Sequence, residues 1–306
     1  MPTSLQDFED DTAFERLTLD RVTPLLPRSE ASSVLDLDAN DLRVTPEVAM
    51  ASGDSTSGAT GSDLKFDDVR PLFFGAAWKV LDQLIEFALE RGGVAPKKGT
   101  RFTITEKVQQ ARTGSVPPVP PFDHHPDLWL RLARIYASTE ELRNSLTHRR
   151  FTVDPHTSEL RGAPRNQGGA VPKALSKGEQ VAYCQAAVGA AEAVIHGSTP
   201  TRRMDQLKWV LDQLTAHHGQ PMLGSSPAHP MTPVLRLRRD PGSSNELSLD
   251  PAAIQACARG AYADATYFDL EVLLPDGRVL AAPLEDVPSG VVTFSINALP
   301  DWIQWK

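Results

Sequence analysis

Along the middle of the chain, apolar positions recur at the three- and four-residue spacing of helices that share a core. In DDVRPLFFGAAWKVLDQLIEFALERGG, residues Phe73, Ala77, Val80, Leu81, Leu84 and Ala88 form one such stripe. The spacing predicts a helix from Asp67 to a stop at Gly92–Gly93. Pro71 falls in its first turn, where the missing N–H costs little. A shorter helix is predicted over Thr103–Ala111, and GSVPPVPPFDHHP then reads as a stiff proline-rich connection. The third helix is predicted as one element from Pro126 to Arg150. Its stripe Leu128, Leu132, Ile135, Thr139, Leu142, Leu146 alternates steps of four and three. Ser176, with Glu179 at capping-box distance, starts a fourth helix carrying Val181, Cys184, Val188, Ala191 and Ile195. Apolar faces on four helices joined by variable connections predict a helical bundle.

Both ends of the chain differ from this middle. Arg202–His218 reads as a fifth helix, and GQPMLGSSPAHPMTP as a loop. Alternation with period two then appears in Val234–Arg238, Tyr267–Leu274, RVLAA and VVTFSI, and Leu274-Pro-Asp-Gly-Arg278 is a hairpin turn. This predicts a small, mostly antiparallel α+β module. At the N terminus, Phe8, Phe14, Leu17, Val22 and Leu25 suit a short docking helix, followed by ASGDSTSGATGSD, a flexible linker without core-forming residues. The predicted organisation is therefore mainly α: a partly disordered acidic arm over 1–66, a bundle over 67–200, and the C-terminal α+β module over 201–306. No internal repeat is visible.

Charge sharpens this division. Residues 1–66 hold 13 Asp and Glu against 5 Lys and Arg, a balance of −8 that equals the net charge of the whole chain. The remainder is neutral, with a local excess of Arg between Arg131 and Arg165. The arm is thus able to compete with an anionic ligand for that basic stretch, or to serve as a solvated tail. No segment resembles a signal peptide and no apolar run is long enough to span a bilayer, so a cytoplasmic location without membrane association is expected. Cys184 and Cys257 lie far apart in apolar contexts and do not form a disulfide framework.

The candidate chemistry sits at the polar end of the third predicted helix, Glu141–Phe151, which reads ELRNSLTHRRF. Arg143 offers a planar fork of donors suited to phosphate oxygens, and His148 is able to take and give a proton near neutral pH. One group holding a phosphodiester and another handling a ribose 2′-hydroxyl proton would suffice to cleave RNA without metal. On a regular helix Arg143 and His148 point about 140° apart. They converge on one phosphate only if the helix distorts or if two copies face each other. The simpler account is that His148, Arg149 and Arg150 complement the negative end of the helix dipole.

LRNSLTH at the end of the third helix resembles the Arg-Asn-x-x-x-His signature of the HEPN superfamily, over roughly Asp67–Gly197. Arg143, Asn144 and His148 match the motif position by position. The resemblance implies a bundle that forms a homodimer through the motif helices and, in catalytic members, a metal-independent endoribonuclease. Many such members act as toxins or phage-defence effectors, so an antitoxin or regulatory partner is an expected associate. The implied catalytic residues are Arg143, Asn144 and His148, with Arg149 and Arg150 attracting the RNA backbone. No cofactor and no metal site is expected. The alternative is a non-catalytic HEPN-like module for dimerisation or for sensing nucleotide or RNA.

Other motifs carry less. His124-His125 reads as loop and cap material, and His217-His218 as a helix end. No HxxxH, CxxC or carboxylate cluster has metal-ligand spacing. GGVAPKKGT follows a helix and has its glycines and lysines in the wrong order for a P-loop. LGSSP lacks the nucleophile-elbow pattern. Trp302 and Trp305 suit the tying down of a strand end better than base stacking.

Overall fold

Two capping boxes set where helices of the core begin. The hydroxyls of Thr103 and Ser176 accept the backbone N–H of Glu106 and Glu179, whose carboxylates reach back to the cap N–H. Both boxes occur in a computed structural model that describes residues 4–22, 28–36, 44–47, 66–97, 99–148, 150–162, 173–197, 201–223, 232–238, 245–263 and 265–306. In chain order, α1 (Leu5–Val22), β1 (Arg28–Asp36) and β2 (Val44–Glu47) precede α2 (Phe66–Arg91), α3 (Ile104–Thr113), α4 (Pro126–Ser138) and α5 (Glu140–Thr147). Next come β3 (Phe151–Val153), β4 (Leu160–Gly162), β5 (Ala174–Leu175), α6 (Lys177–His196), α7 (Thr201–Asp212) and α8 (Thr215–His218). The chain closes with β6 (Thr232–Arg238), β7 (Glu246–Leu249), α9 (Pro251–Ala261), β8 (Asp269–Leu273), β9 (Val279–Pro283), β10 (Val292–Ser295) and β11 (Gln304–Trp305). The protein is mainly α. Among the described residues no helix is long and apolar enough to cross a membrane.

The chain forms two units, one of residues 1–25 and 61–227 and one of 26–60 and 228–306. The first unit is built around α2, which packs against α1, α3, α4, α5 and α6. From Ala77 to Leu89 nearly every α2 side chain is buried, so this helix is enclosed on several sides. Aromatic pairs fasten it: Phe74 against Tyr183 at 5.0 Å, Trp78 stacked on Tyr136 at 4.8 Å, and Phe87 stacked on Phe8 at 5.4 Å between ring centroids. Four ionisable side chains meet in the interior. Lys107 Nζ lies 2.7 Å from Asp82 and 2.6 Å from Glu86, and Tyr136 donates its hydroxyl to Asp82 at 2.6 Å.

Three expectations from the sequence need correction here. The third helix does not run unbroken to Arg150. It divides into α4 and α5 at Thr139, which has φ −98 and ψ 5. The Thr139 hydroxyl donates to the Ile135 carbonyl at 2.7 Å and lies 3.0 Å from the Tyr183 hydroxyl, so a buried polar contact is satisfied at the break. The acidic arm is not a tail over its first part, because α1 belongs to the helical unit and packs on α2 and α6. Phe8 and Leu19 are fully buried, Arg16 pairs with Glu192, and Glu15 pairs with Lys79 at 2.5 Å. Phe14 and Leu17 do not dock as expected; they are 75% and 55% exposed. The predicted linker ASGDSTSGATGSD lies outside the described residues. Finally, the boundary at residue 200 is misplaced. Met204, Leu207, Val210 and Leu211 bury one side of α7, which packs on α6 and α4, so α7 and α8 belong to the helical unit.

The second unit is an α+β module. Its sheet has the order β11-β9-β8-β6-β1-β2. Strand β6 is parallel to both neighbours, β1 and β8, and the outer pairs are antiparallel. A parallel β6–β8 pair needs a long crossover, and β7 with α9 supplies it. The arm thus contributes the two strands β1 and β2 to this sheet, which the acidic composition hid. The hairpin at Leu274–Arg278 forms as read: Gly277 has φ +85, and Leu274 N–H donates to the Arg278 carbonyl at 3.0 Å. The VVTFSI strand, β10, pairs with β7 in a separate two-stranded sheet. Trp302 packs edge-on against Phe294 with centroids 5.2 Å apart, and Trp305 lies on the edge strand β11.

Removing Lys107 leaves Asp82 and Glu86 buried without a counter-charge. Lys107→Ala is expected to destabilise the helical unit by about 3–5 kcal/mol, measured by urea unfolding. An m-value unchanged from the wild type with a lower midpoint is the expected signature; an unaltered midpoint contradicts the role. Phe8 makes a second test, since α1 is anchored chiefly by that ring. Phe8→Ala is expected to cost about 3–5 kcal/mol and to lower Tm, where a solvated arm would give no change.

Candidate functional site

The motif residues occupy the last two turns of α5 and the residue beyond it. This short helix is held from below by Leu142, which is buried, and from the side by the three-stranded β3-β4-β5 sheet. At Gly162 of β4 a side chain would meet Ser145 Oγ at 2.8 Å and Leu142 Cδ1 at 3.2 Å, so the close approach of strand and helix requires glycine. Ser145 in turn donates to the Glu141 carbonyl at 2.8 Å. The helix that carries the motif is therefore fixed on two sides.

Arg143 is half-buried and its placement is specific. Its guanidinium carbon lies 5.0 Å from the centroid of the Trp78 ring, and Nη1 donates to Asn144 Oδ1 at 3.1 Å. The Trp78 face is negative, so it holds the cation without neutralising it. Among the described residues no carboxylate pairs with Arg143, His148 or Arg150. The structure thus brings Arg143 and Asn144 together. His148 occupies the C-cap of α5 with φ −96 and ψ 12, its N–H bonded to the Asn144 carbonyl at 3.0 Å and its side chain exposed. Its ring makes no contact with Arg143 within one chain. Arg150 is exposed, and its N–H donates to the Ser145 carbonyl at 2.8 Å. Arg149 lies outside the described residues.

Trp78 and the buried network behind it are the parts of this site that the sequence reading missed. In sequence Trp78 sits in an apolar helix and reads as core. Only its ring-to-guanidinium contact shows that the same side chain faces the motif. The path runs from Arg143 to Trp78, from Trp78 to the stacked Tyr136, and from the Tyr136 hydroxyl to Asp82. Burial, the negative charge of Asp82 and the hydrogen bond to it all push the Tyr136 phenol far above its ordinary proton affinity, so it stays a neutral donor.

The remaining histidines separate into two groups. His124 ends a short turn and His125 is the N-cap residue of α4 without a side-chain cap bond, as expected of connecting residues. His217 and His218 do more than end a helix. His217 Nε2 lies 3.1 Å from Glu179, and this bond, with the capping contacts of Ser176, draws the Glu179 carboxyl down to about 2 against the opposing effect of burial. His218 accepts the Gln220 N–H at Nδ1 and therefore carries its proton on Nε2, which donates to the Leu211 carbonyl at 2.8 Å. Burial lowers its proton affinity further. No group of three or more His, Cys, Asp or Glu side chains suited to a metal ion occurs among the described residues. Compared with protein-family models, curated proteins and solved structures, the chain finds no match in any of the three.

Because Glu179 titrates lower folded than unfolded, the stability it contributes is present above about pH 4.5 and lost as pH falls toward about 2. Thermal unfolding of the wild type is expected to move to lower temperature across that window. Glu179→Gln should start from a lower Tm at neutral pH and show a flatter acid limb. Parallel acid limbs in the two proteins contradict the assignment.

Proposed function

We propose that the chain is an HEPN-type endoribonuclease that cleaves RNA through Arg143, Asn144 and His148 and works as a homodimer with the motif helices facing each other. The observation that carries this reading is the setting of Arg143. A guanidinium seated on Trp78 and bonded to Asn144, with no carboxylate paired to it among the described residues, keeps its positive charge and most of its donors for an incoming phosphate. In the proposed reaction His148 accepts the 2′-hydroxyl proton as the 2′-oxygen attacks phosphorus. Arg143 stabilises the charge gathering on the non-bridging oxygens. The bond from phosphorus to the 5′-oxygen breaks and that oxygen takes up a proton, leaving a 2′,3′-cyclic phosphate and a 5′-hydroxyl. Asn144 holds the guanidinium in place, while Arg149 and Arg150 add non-specific attraction to the RNA backbone that salt weakens. An antitoxin or regulatory partner, and a role as a cytoplasmic toxin or phage-defence effector, belong to the same proposal.

One observation favours a second reading. Within a single chain the His148 ring does not meet Arg143, so the pair is incomplete without a second copy. A chain that never assembles the pair would be a non-catalytic dimerisation or RNA-sensing module. Purified full-length protein incubated with single-stranded RNA, with the ends analysed for 2′,3′-cyclic phosphate, separates the two. Cleavage is expected, with Arg143→Ala lowering the rate by about 10²–10³-fold and His148→Ala by about 10²–10⁴-fold while circular dichroism is unchanged. RNA bound tightly but left intact at every salt concentration and pH would establish the sensing module instead. Cleavage undiminished in His148→Ala would remove that residue from the chemistry.

A further inference from the structure

A cleft away from the motif carries a second concentration of cationic side chains. It is an open cleft of about 250 Å³ bounded by the end of α3, the C-terminal half of α4 and α8, and is lined by Arg112, Arg134, Ala137, Ser138, His217 and His218. No carboxylate lines it. Two of the lining side chains, Arg112 and His217, already face a carboxylate. Glu179 is bonded to His217 and to the cap of α6, Glu140 lies 3.7 Å from Arg112, and Asp212 accepts the Leu223 N–H at 3.0 Å. Arg134 makes one long hydrogen bond, 3.5 Å to the His218 carbonyl, so most of its donors are unspent.

Arg131 does not line the cleft, but its charge reaches His218 in the cleft wall. It lies one turn before Arg134 on α4 and is 5% exposed, yet its Nε and Nη1 have no hydrogen-bond partner. A buried guanidinium without a counter-charge is costly, and a bound anion nearby would offset that cost. Its charge acts on His218, which lines the cleft and which it holds toward the neutral form. His218 spends both ring nitrogens inside the protein and therefore shapes the wall without binding.

We infer that this cleft is a binding site for a compact phosphorylated small molecule, gripped at its phosphate end by Arg112 and Arg134. The guanidinium forks match phosphate oxygens, which a chloride or a carboxylate-free apolar ligand would not exploit. The cleft is open to solvent, so the phosphate end sits between the two guanidinium groups and the rest of the molecule extends outward. The inference is independent of the RNA-cleavage reading, because it uses none of Arg143, Asn144 or His148.

Calorimetric titration of the full chain with sodium pyrophosphate, and separately with inorganic phosphate, at ionic strength held constant with sodium chloride, tests it. Saturable binding of pyrophosphate is expected, tighter than that of phosphate, with a matching rise in Tm. Arg134→Gln and Arg112→Ala should each weaken it by roughly tenfold. Arg259→Ala, an exposed arginine of α9, should leave it unchanged. If Arg134→Gln impairs folding, Arg112→Ala carries the test alone, since Arg112 is largely exposed at the end of α3. Absence of saturable binding up to about 10 mM would overturn the inference. So would equal loss in the Arg259→Ala protein, which would mark diffuse charge attraction. A rate of RNA cleavage unaffected by the Arg112 and Arg134 substitutions keeps the outcome separate from that of the motif.

Discussion

The helical unit depends on the ion network that Lys107 closes inside it. Asp82 and Glu86 lie one turn apart on α2, the helix against which most of the unit packs, and both are buried. Without a counter-charge, two carboxylates at this spacing repel each other in a region from which water is excluded. Lys107 reaches them from α3 and Tyr136 from α4, so a single polar knot joins three helices. Apolar faces slide over one another at little cost, but an ion pair with a shared hydroxyl has few acceptable geometries. The knot thereby sets the register of α3 and α4 against α2 in a way that hydrophobic packing alone does not.

That register also places the motif. Trp78 is stacked on Tyr136 on one face and meets the Arg143 guanidinium with its ring, so the core network and the candidate site share an aromatic pair. The break at Thr139 matters for the same reason. It allows α5 to leave the axis of α4 while the Thr139 hydroxyl stays bonded to Ile135 and beside Tyr183. The β3-β4-β5 sheet then closes on α5 through the glycine at 162. The motif helix is held on two sides, by Leu142 and by the β3-β4-β5 sheet, while His148 faces solvent. The exposed His148 side chain is not hydrogen-bonded to the seated Arg143 within one chain.

The N-terminal arm shows how composition and structure diverge. Its charge of −8 places it among solvated segments. Yet the buried positions of α1, Phe8 and Leu19 among them, suffice to dock the helix on α2 and α6. Net charge counts every side chain equally, whereas docking is decided by the few that face inward. The strands β1 and β2 make the same point for the second unit, where β1 pairs in parallel with β6 across a long stretch of sequence.

What the sequence by itself determined is local. The capping box of Ser176 and Glu179, the apolar stripes of α2, α4 and α6, the hairpin at Leu274–Arg278 and the helix-end placement of Arg143, Asn144 and His148 all follow from spacing, because their partners lie within a few residues. Only the tertiary structure decided the rest. Lys107 reads as an ordinary surface lysine in TEKVQQAR, and nothing local shows that two buried carboxylates about twenty residues earlier await it. Thr139 continues the helical stripe in sequence, and the Tyr183 hydroxyl that shares its break lies in another helix. Arg112, Arg134 and His217 belong to three helices and line one cleft only after α8 folds back onto α4. Periodicity reports which face of an element is buried; it is silent about which distant side chain meets that face, because that partner belongs to another element.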